Sequence, residues 1–172
     1  MEIAEILKYI IPAGIVLMTS YLTIWVFLRN ETKKRQLEIN AASKDIVLPI
    51  RLQAYERIIL FLERISPNSL LIRVSIPGMS AIQLQTALLN NIREEFEHNL
   101  SQQLYISSSA WELTKNAKEE IVRIINSSAS RLDGNAASEE LSTKIFSMTM
   151  EMENLITYLA IDKIKKEIQQ IF

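Results

Sequence analysis

The 172-residue chain contains no cysteine. That absence excludes disulfides, thiol catalysis and zinc–thiolate sites, and it fits a reducing compartment. Histidine is nearly absent as well, since His98 is the only one. The serine cluster Ser107-Ser108-Ser109 therefore has no base close in sequence, and no G-x-S-x-G elbow accompanies it. Three glycines and four prolines leave little material for turns, so long helices are the expected content. No G-x-x-x-x-G-K-[ST] or G-x-G-x-x-G occurs, and no nucleotide site is signalled. Positive charge is not in excess either: 19 Lys and Arg face 20 Asp and Glu. A nucleic-acid partner wants a basic face, which this balance does not supply.

What the chain does have is the uncharged run YIIPAGIVLMTSYLTIWVFL, Tyr9 to Leu28, bounded by Lys8 and Arg29. Twenty residues at helical rise cover about 30 Å, the hydrocarbon thickness of a bilayer. The run is expected to be a transmembrane helix. A cleaved signal peptide would need a basic start, a shorter apolar core and a small-x-small cleavage site. Here the start carries Glu2 and Glu5, and nothing after Trp25 resembles a cleavage site. The flank after the run holds Arg29, Lys33, Lys34 and Arg35 against Glu31 alone. By the positive-inside rule that side is cytoplasmic, and the basic collar can meet anionic headgroups. The expected organisation is a short extracytoplasmic segment (1–8), the membrane helix (9–28), a basic collar and juxtamembrane helix (29–48), and a cytoplasmic helical bundle (49–172). The chain would then sit in the inner membrane as a single-pass protein, with membrane lipid as one partner.

The expected fold class is all-α. The stretch after Arg29 has no Gly or Pro before Pro49 and would continue the membrane helix. There it superficially resembles the peripheral-stalk b subunit of ATP synthases. Pro49, Pro67 and Pro77 are expected to break the long helix that such a stalk needs. From Pro49 a new helix is expected, with Tyr55, Ile58, Ile59, Leu62 and Ile65 on one face and Leu52, Leu60 and Phe61 widening it. So wide an arc is packed on more than one side. Leu70–Pro77 fits either a short helix or a strand, and the lack of any strand partner elsewhere in the sequence favours the helix. Ser80 and Gln83 have capping-box spacing, and the helix they open carries Leu88, Leu89, Ile92, Phe96, Leu100 and Leu104 on one arc. Ser109 and Glu112 suggest a second capping box, with Leu113, Ala117, Ile121, Ile124 and Ile125 turned inward after it. Asp133-Gly134-Asn135 is the strongest turn signal. A long C-terminal helix is expected from about Ala137. Its seam is Leu141, Ile145, Met148, Met152, Leu155 and Leu159, spaced as in a coiled coil or bundle, and then shifts by one face to Ile161, Ile164, Ile168 and Ile171.

The segments RLQAYERIILFLERI and IREEFEHNLSQQLYISSSAW resemble those of a family of small, membrane-anchored helical proteins of Bacteroidota that has no assigned activity. The likeness runs from the apolar run to about Asn126. It implies an N-terminal anchor and a helical cytoplasmic domain, and it transfers no catalytic residue.

Candidate chemistry is sparse. Glu95-x-x-His98 is half of the ligand pattern of ferritin-like di-iron bundles. One chain cannot complete the set with a single histidine, although a symmetric dimer could. His98 also lies nearly opposite the Leu88–Ile92–Phe96 arc, on a polar face with Asn91, Glu94, Glu95 and Gln102. That face is either solvated or hydrogen-bonded to a neighbouring helix. Glu56 with Glu63, and Arg57 with Arg64, form charge rows two turns apart. Tyr55, Ile58, Ile59, Leu62, Met148, Met152, Leu155 and Leu159 are the candidate surface for a protein partner or a second copy. No cofactor is called for. The expected role is a membrane-anchored interaction or scaffold subunit, and the alternative is a metalloenzyme with a carboxylate–histidine site shared across a dimer.

Overall fold

The computed structural model describes residues 2–150 and 156–171, with side chains left out at 2–13, 36–37, 39–44 and 171. The chain divides into two compact units, Met1–Leu48 and Pro49–Phe172. Among the described residues the regular structure is helical: α1 (Glu2–Ile65), α2 (Pro67–Val74), α3 (Ala81–Asn99), a 3-10 segment (Leu100–Leu104), α4 (Ser108–Ala129), α5 (Ser138–Met150) and α6 (Ile156–Ile171).

In the first unit, the side chains from Gly14 to Thr32 are exposed apart from a half-buried Glu31. They include Ile15, Leu17, Trp25 and Phe27, and no charge interrupts them before Arg29. The Arg29 guanidinium lies over the Trp25 ring, 5.2 Å from its centroid, and Arg35 pairs with Glu31 at 3.5 Å. Thr19 and Thr23 turn their hydroxyls back to carbonyls of the preceding turn, so neither leaves a polar group without a partner. Among the described residues no helix is long and apolar enough to cross a membrane. Lys8 and the first five residues of the run Tyr9–Leu28 have side chains outside that description.

The expected break at Pro49 is absent. Helix α1 continues through it to Ile65. A proline inside a helix removes one backbone bond and crowds the preceding turn, at a cost of about 3 kcal/mol. Burial offsets that cost here, because Ala54, Tyr55, Ile58, Phe61, Leu62 and Ile65 are all at most 1% exposed. Pro67 does end the helix. It stands in the first turn of α2, where its missing N–H is not needed.

In the second unit α4 packs against α3, α5 and α6, and α3 also packs against α2 and α5. The core is continuous from α1 (Tyr55, Ile58, Leu62) through α3 (Leu84, Leu88, Ile92) and α4 (Ile121, Ile125) to α5 (Leu141, Ile145) and α6 (Ala160, Ile164). Phe96 joins three helices: its ring stacks on Trp111 at 5.3 Å, lies 5.8 Å from Phe61, and has Lys118 Nζ 4.5 Å above it. The capping box at Ser80 and Gln83 forms in both directions. The turn at Asp133 closes with Ala136 N donating to Asp133 O at 3.0 Å.

Three local expectations need correction. Helix α3 ends at Asn99, and the 3-10 segment that follows has three residues per turn instead of 3.6. The buried arc therefore stops at Phe96, and Leu100 and Leu104 are exposed. The cap of α4 is Ser107 rather than Ser109: its Oγ accepts from Ala110 N at 3.0 Å. The third concerns the C-terminal seam, described as α5 up to Met150 and α6 from Ile156; residues 151–155 lie outside the described residues. The inward face of α6 is Thr157, Ala160, Ile161 and Ile164, with Leu159 exposed. The seam thus adopts the shifted face already at the start of α6, because positions 157, 160, 161 and 164 share one side of a 3.6-residue helix.

Candidate functional site

Polar side chains converge at the contact between the second half of α1 and α3. Arg57 and Arg64 lie two turns apart on α1, and Glu95 and His98 are one turn apart on α3. A cleft of about 430 Å³ opens between them, lined by Arg57, Leu60, Phe61, Arg64, Glu95, His98 and Asn99. Glu95 is its electrostatic hinge. Arg64 Nη2 lies 2.8 Å from Glu95 Oε1, and Arg73 Nη1, reaching over from α2, lies 3.8 Å from the same oxygen. The Arg73 guanidinium also donates to Asn91 Oδ1 and to the Arg64 carbonyl. Thus Arg73 is locked from three directions, whereas Arg64 gives Glu95 one of its five donors and keeps 43% of its side chain in solvent. Arg57 is exposed and makes no ion pair or side-chain hydrogen bond among the described residues.

His98 stands at the rim. Its Nδ1 is 2.9 Å from Glu94 O. A carbonyl only accepts, so Nδ1 carries the proton in that contact and Nε2 is left as the ring's acceptor nitrogen. The polar face of α3 is therefore divided: Asn91 and Glu95 bind guanidiniums of neighbouring helices, and His98 binds its own backbone. Of the Glu95–His98 pair, the carboxylate is engaged by two guanidiniums and the ring by its own backbone. Among the described residues no group of three His, Cys, Asp or Glu side chains converges to hold a metal ion.

A second polar centre lies inside the bundle. The Tyr55 hydroxyl donates to Glu167 Oε1 and accepts from Ser107 N at 3.1 Å, while Ser107 Oγ donates to Glu167 Oε2 at 2.9 Å. Ser107 Oγ also caps α4. The centre ties α1, the start of α4 and α6 together, and each of its polar atoms has a partner. It holds the fold and leaves no free nucleophile. Sequence spacing gave no signal for it, since its members are far apart along the chain.

The candidate partner-binding residues separate by position. Tyr55, Ile58 and Leu62 are buried in the domain's own core. Ile59 and Met148 are partly buried against that core, and Ser128 Oγ bonds Met148 Sδ at 3.2 Å. Leu159 is exposed. Met152 and Leu155 lie outside the described residues. The Tyr55–Ile58–Leu62 face of α1 therefore serves the chain itself, whereas Leu52 and Leu60, which widen its arc, are exposed. Besides Leu159, outward apolar side chains of this unit include Ile72, Ile82 and Leu104.

Comparison with curated proteins and with solved structures gives no match. Residues 1–171 match the model of DUF7935, a family of unknown function, and the chain belongs to that family.

Proposed function

We propose that this member of DUF7935 is a membrane-anchored helical docking subunit. The apolar part of α1 lies in the bilayer, and the bundle stands on the cytoplasmic side, associating with copies of itself or with a larger inner-membrane complex. One observation carries the reading. From Ile15 to Leu28 the helix is uncharged and its side chains are exposed on every face. A one-sided stripe would suit packing on a neighbouring domain. A helix that is apolar all round suits a surrounding apolar medium. Arg29, Lys33, Lys34 and Arg35 then mark the cytoplasmic flank.

Alkaline carbonate extraction of native membranes, combined with a reporter fused after Phe172, tests the reading. The expected result is a protein that stays in the pellet and a reporter active on the cytoplasmic side. Complete release into the wash, or a reporter active only outside the cell, would overturn it. Crosslinking in the same membranes should then trap either a dimer or a heterologous neighbour, and a monomer throughout argues against docking.

A further inference from the structure

We propose that the cleft between α1 and α3 binds a phosphate-bearing ligand, its oxyanion held by Arg57 and Arg64. The inference is independent of membrane anchoring and rests on three features of the cleft. The first is unbalanced charge. Arg57 and Arg64 line the cleft with one carboxylate, Glu95, which Arg73 also reaches from α2. Arg73 is consumed by Asn91, Glu95 and the Arg64 carbonyl. The surplus faces the opening as Arg57 and the unused edge of Arg64.

The second feature is spacing. Arg57 and Arg64 are seven residues apart on one helix, about 10 Å along its axis. Glu95 shows that a single carboxylate engages Arg64 and leaves Arg57 untouched. An anion that occupies both must be larger or carry more oxygens, as a diphosphate or a substituted phosphate does. Guanidinium forks match such oxygens in pairs. The third feature is the wall. Leu60, 54% exposed, lies between the two arginines in sequence and lines the cleft with them. That apolar surface gives the non-phosphate part of the ligand a place to lie, and the volume falls in the range of small-molecule sites. Glu95 is a positioning residue, holding Arg64 and Arg73 in place and competing with the ligand for Arg64.

The test is calorimetric titration of the full-length chain in a non-ionic detergent with two soluble probes, sodium pyrophosphate and glycerophosphoglycerol. The second is a phospholipid headgroup without its acyl chains. The expected result is saturable binding of at least one probe, weakened about tenfold by Arg57→Ala or Arg64→Ala, the loss of one charge-assisted hydrogen bond. Tighter binding of pyrophosphate identifies a free phosphate ligand, and tighter binding of glycerophosphoglycerol identifies a lipid headgroup. Glu95→Gln frees Arg64 and should tighten binding, a change that a purely structural Glu95 would not produce. Arg57→Ala removes an exposed side chain without an ion pair, and an unchanged thermal melt will confirm that it folds. If neither probe binds at millimolar concentration, or if folded Arg57→Ala binds as tightly as the parent, the proposal is wrong.

Discussion

The Tyr55 hydroxyl and the Glu167 carboxylate are joined across 112 residues of chain, and the same hydroxyl accepts the Ser107 amide. Tyr55 is 1% exposed, and its partners Ser107 and Glu167 are half-buried. Tyr55→Phe keeps the ring and its packing but leaves the Ser107 N–H without its acceptor and Glu167 Oε1 without its donor. The expected loss is about 1–3 kcal/mol, read as a lower urea midpoint with an unchanged slope. Combining Tyr55→Phe with Glu167→Ala should cost less than the two single losses added together, because both remove one network. An unchanged midpoint in Tyr55→Phe would show that the hydroxyl holds nothing.

Local signals in this sequence were legible where neighbours along the chain decide the outcome. Ser80 and Gln83 are three residues apart and cap each other, and Asp133 and Ala136 close their turn over the same distance. The inward faces of α3 and α4 also follow, since 3.6-residue periodicity alone selects Leu88, Ile92, Ala117 and Ile121. What failed was decided at long range. Pro49 reads as a break because its local cost is real, but burial of Tyr55 to Ile65 outweighs it. Ser107 wins the cap over Ser109 where its hydroxyl also reaches Glu167, sixty residues away. Arg73 was missed at the cleft because nothing in its own segment reveals that α2 carries it to Glu95.

Gly78 is required by backbone geometry rather than by space. Its φ is +86°, the left-handed region that side chains with a Cβ disfavour, and a Cβ there would meet nothing within 4 Å. With Pro77 before it, and Met79 N donating to Ile76 O at 3.3 Å, it forms the turn that joins α2 to α3. The same turn presents Met79 O to Ser138 N at 3.1 Å, tying it to the start of α5. Gly78→Ala should cost about 1–2 kcal/mol, a fall in Tm of about 2–8 °C. Gly134→Ala is the control. It has neither positive φ nor a nearby atom, and its Tm should stay within about 2 °C of the parent. Equal shifts in the two variants would count against the turn assignment.

Glu95 and His98 should respond unequally to truncation. Glu95→Ala strips Arg64 and Arg73 of their shared carboxylate, whose side chain is 17% exposed. Arg64 is partly solvated, so the expected cost is discounted to about 1 kcal/mol. His98→Ala removes an exposed ring bonded only to its own helix and should stay within about 0.5 kcal/mol of the parent. Chemical denaturation of both variants checks the order. A larger loss from His98→Ala would mean that the ring has a partner outside the described contacts. If purified protein carried stoichiometric iron or manganese that His98→Ala abolished, the shared-metal alternative would replace the docking reading.

Met18→Arg separates a bilayer from water as the surroundings of α1. Met18 is exposed near the middle of the Tyr9–Leu28 run. On a water-facing helix the change is close to neutral, since arginine and methionine have nearly equal helix propensities, and solubility should rise. At the centre of a bilayer, arginine costs about 2.5–3.5 kcal/mol on insertion scales. That is a factor of about 100 in the membrane-integrated fraction. Leu28→Arg, beside Arg29 at the edge, can reach headgroups with its long side chain and should be tolerated. Membrane fractionation of the two variants therefore predicts loss from the pellet for Met18→Arg and retention for Leu28→Arg. Equal retention of both would place the apolar face of α1 against protein, where position along the helix carries no such gradient.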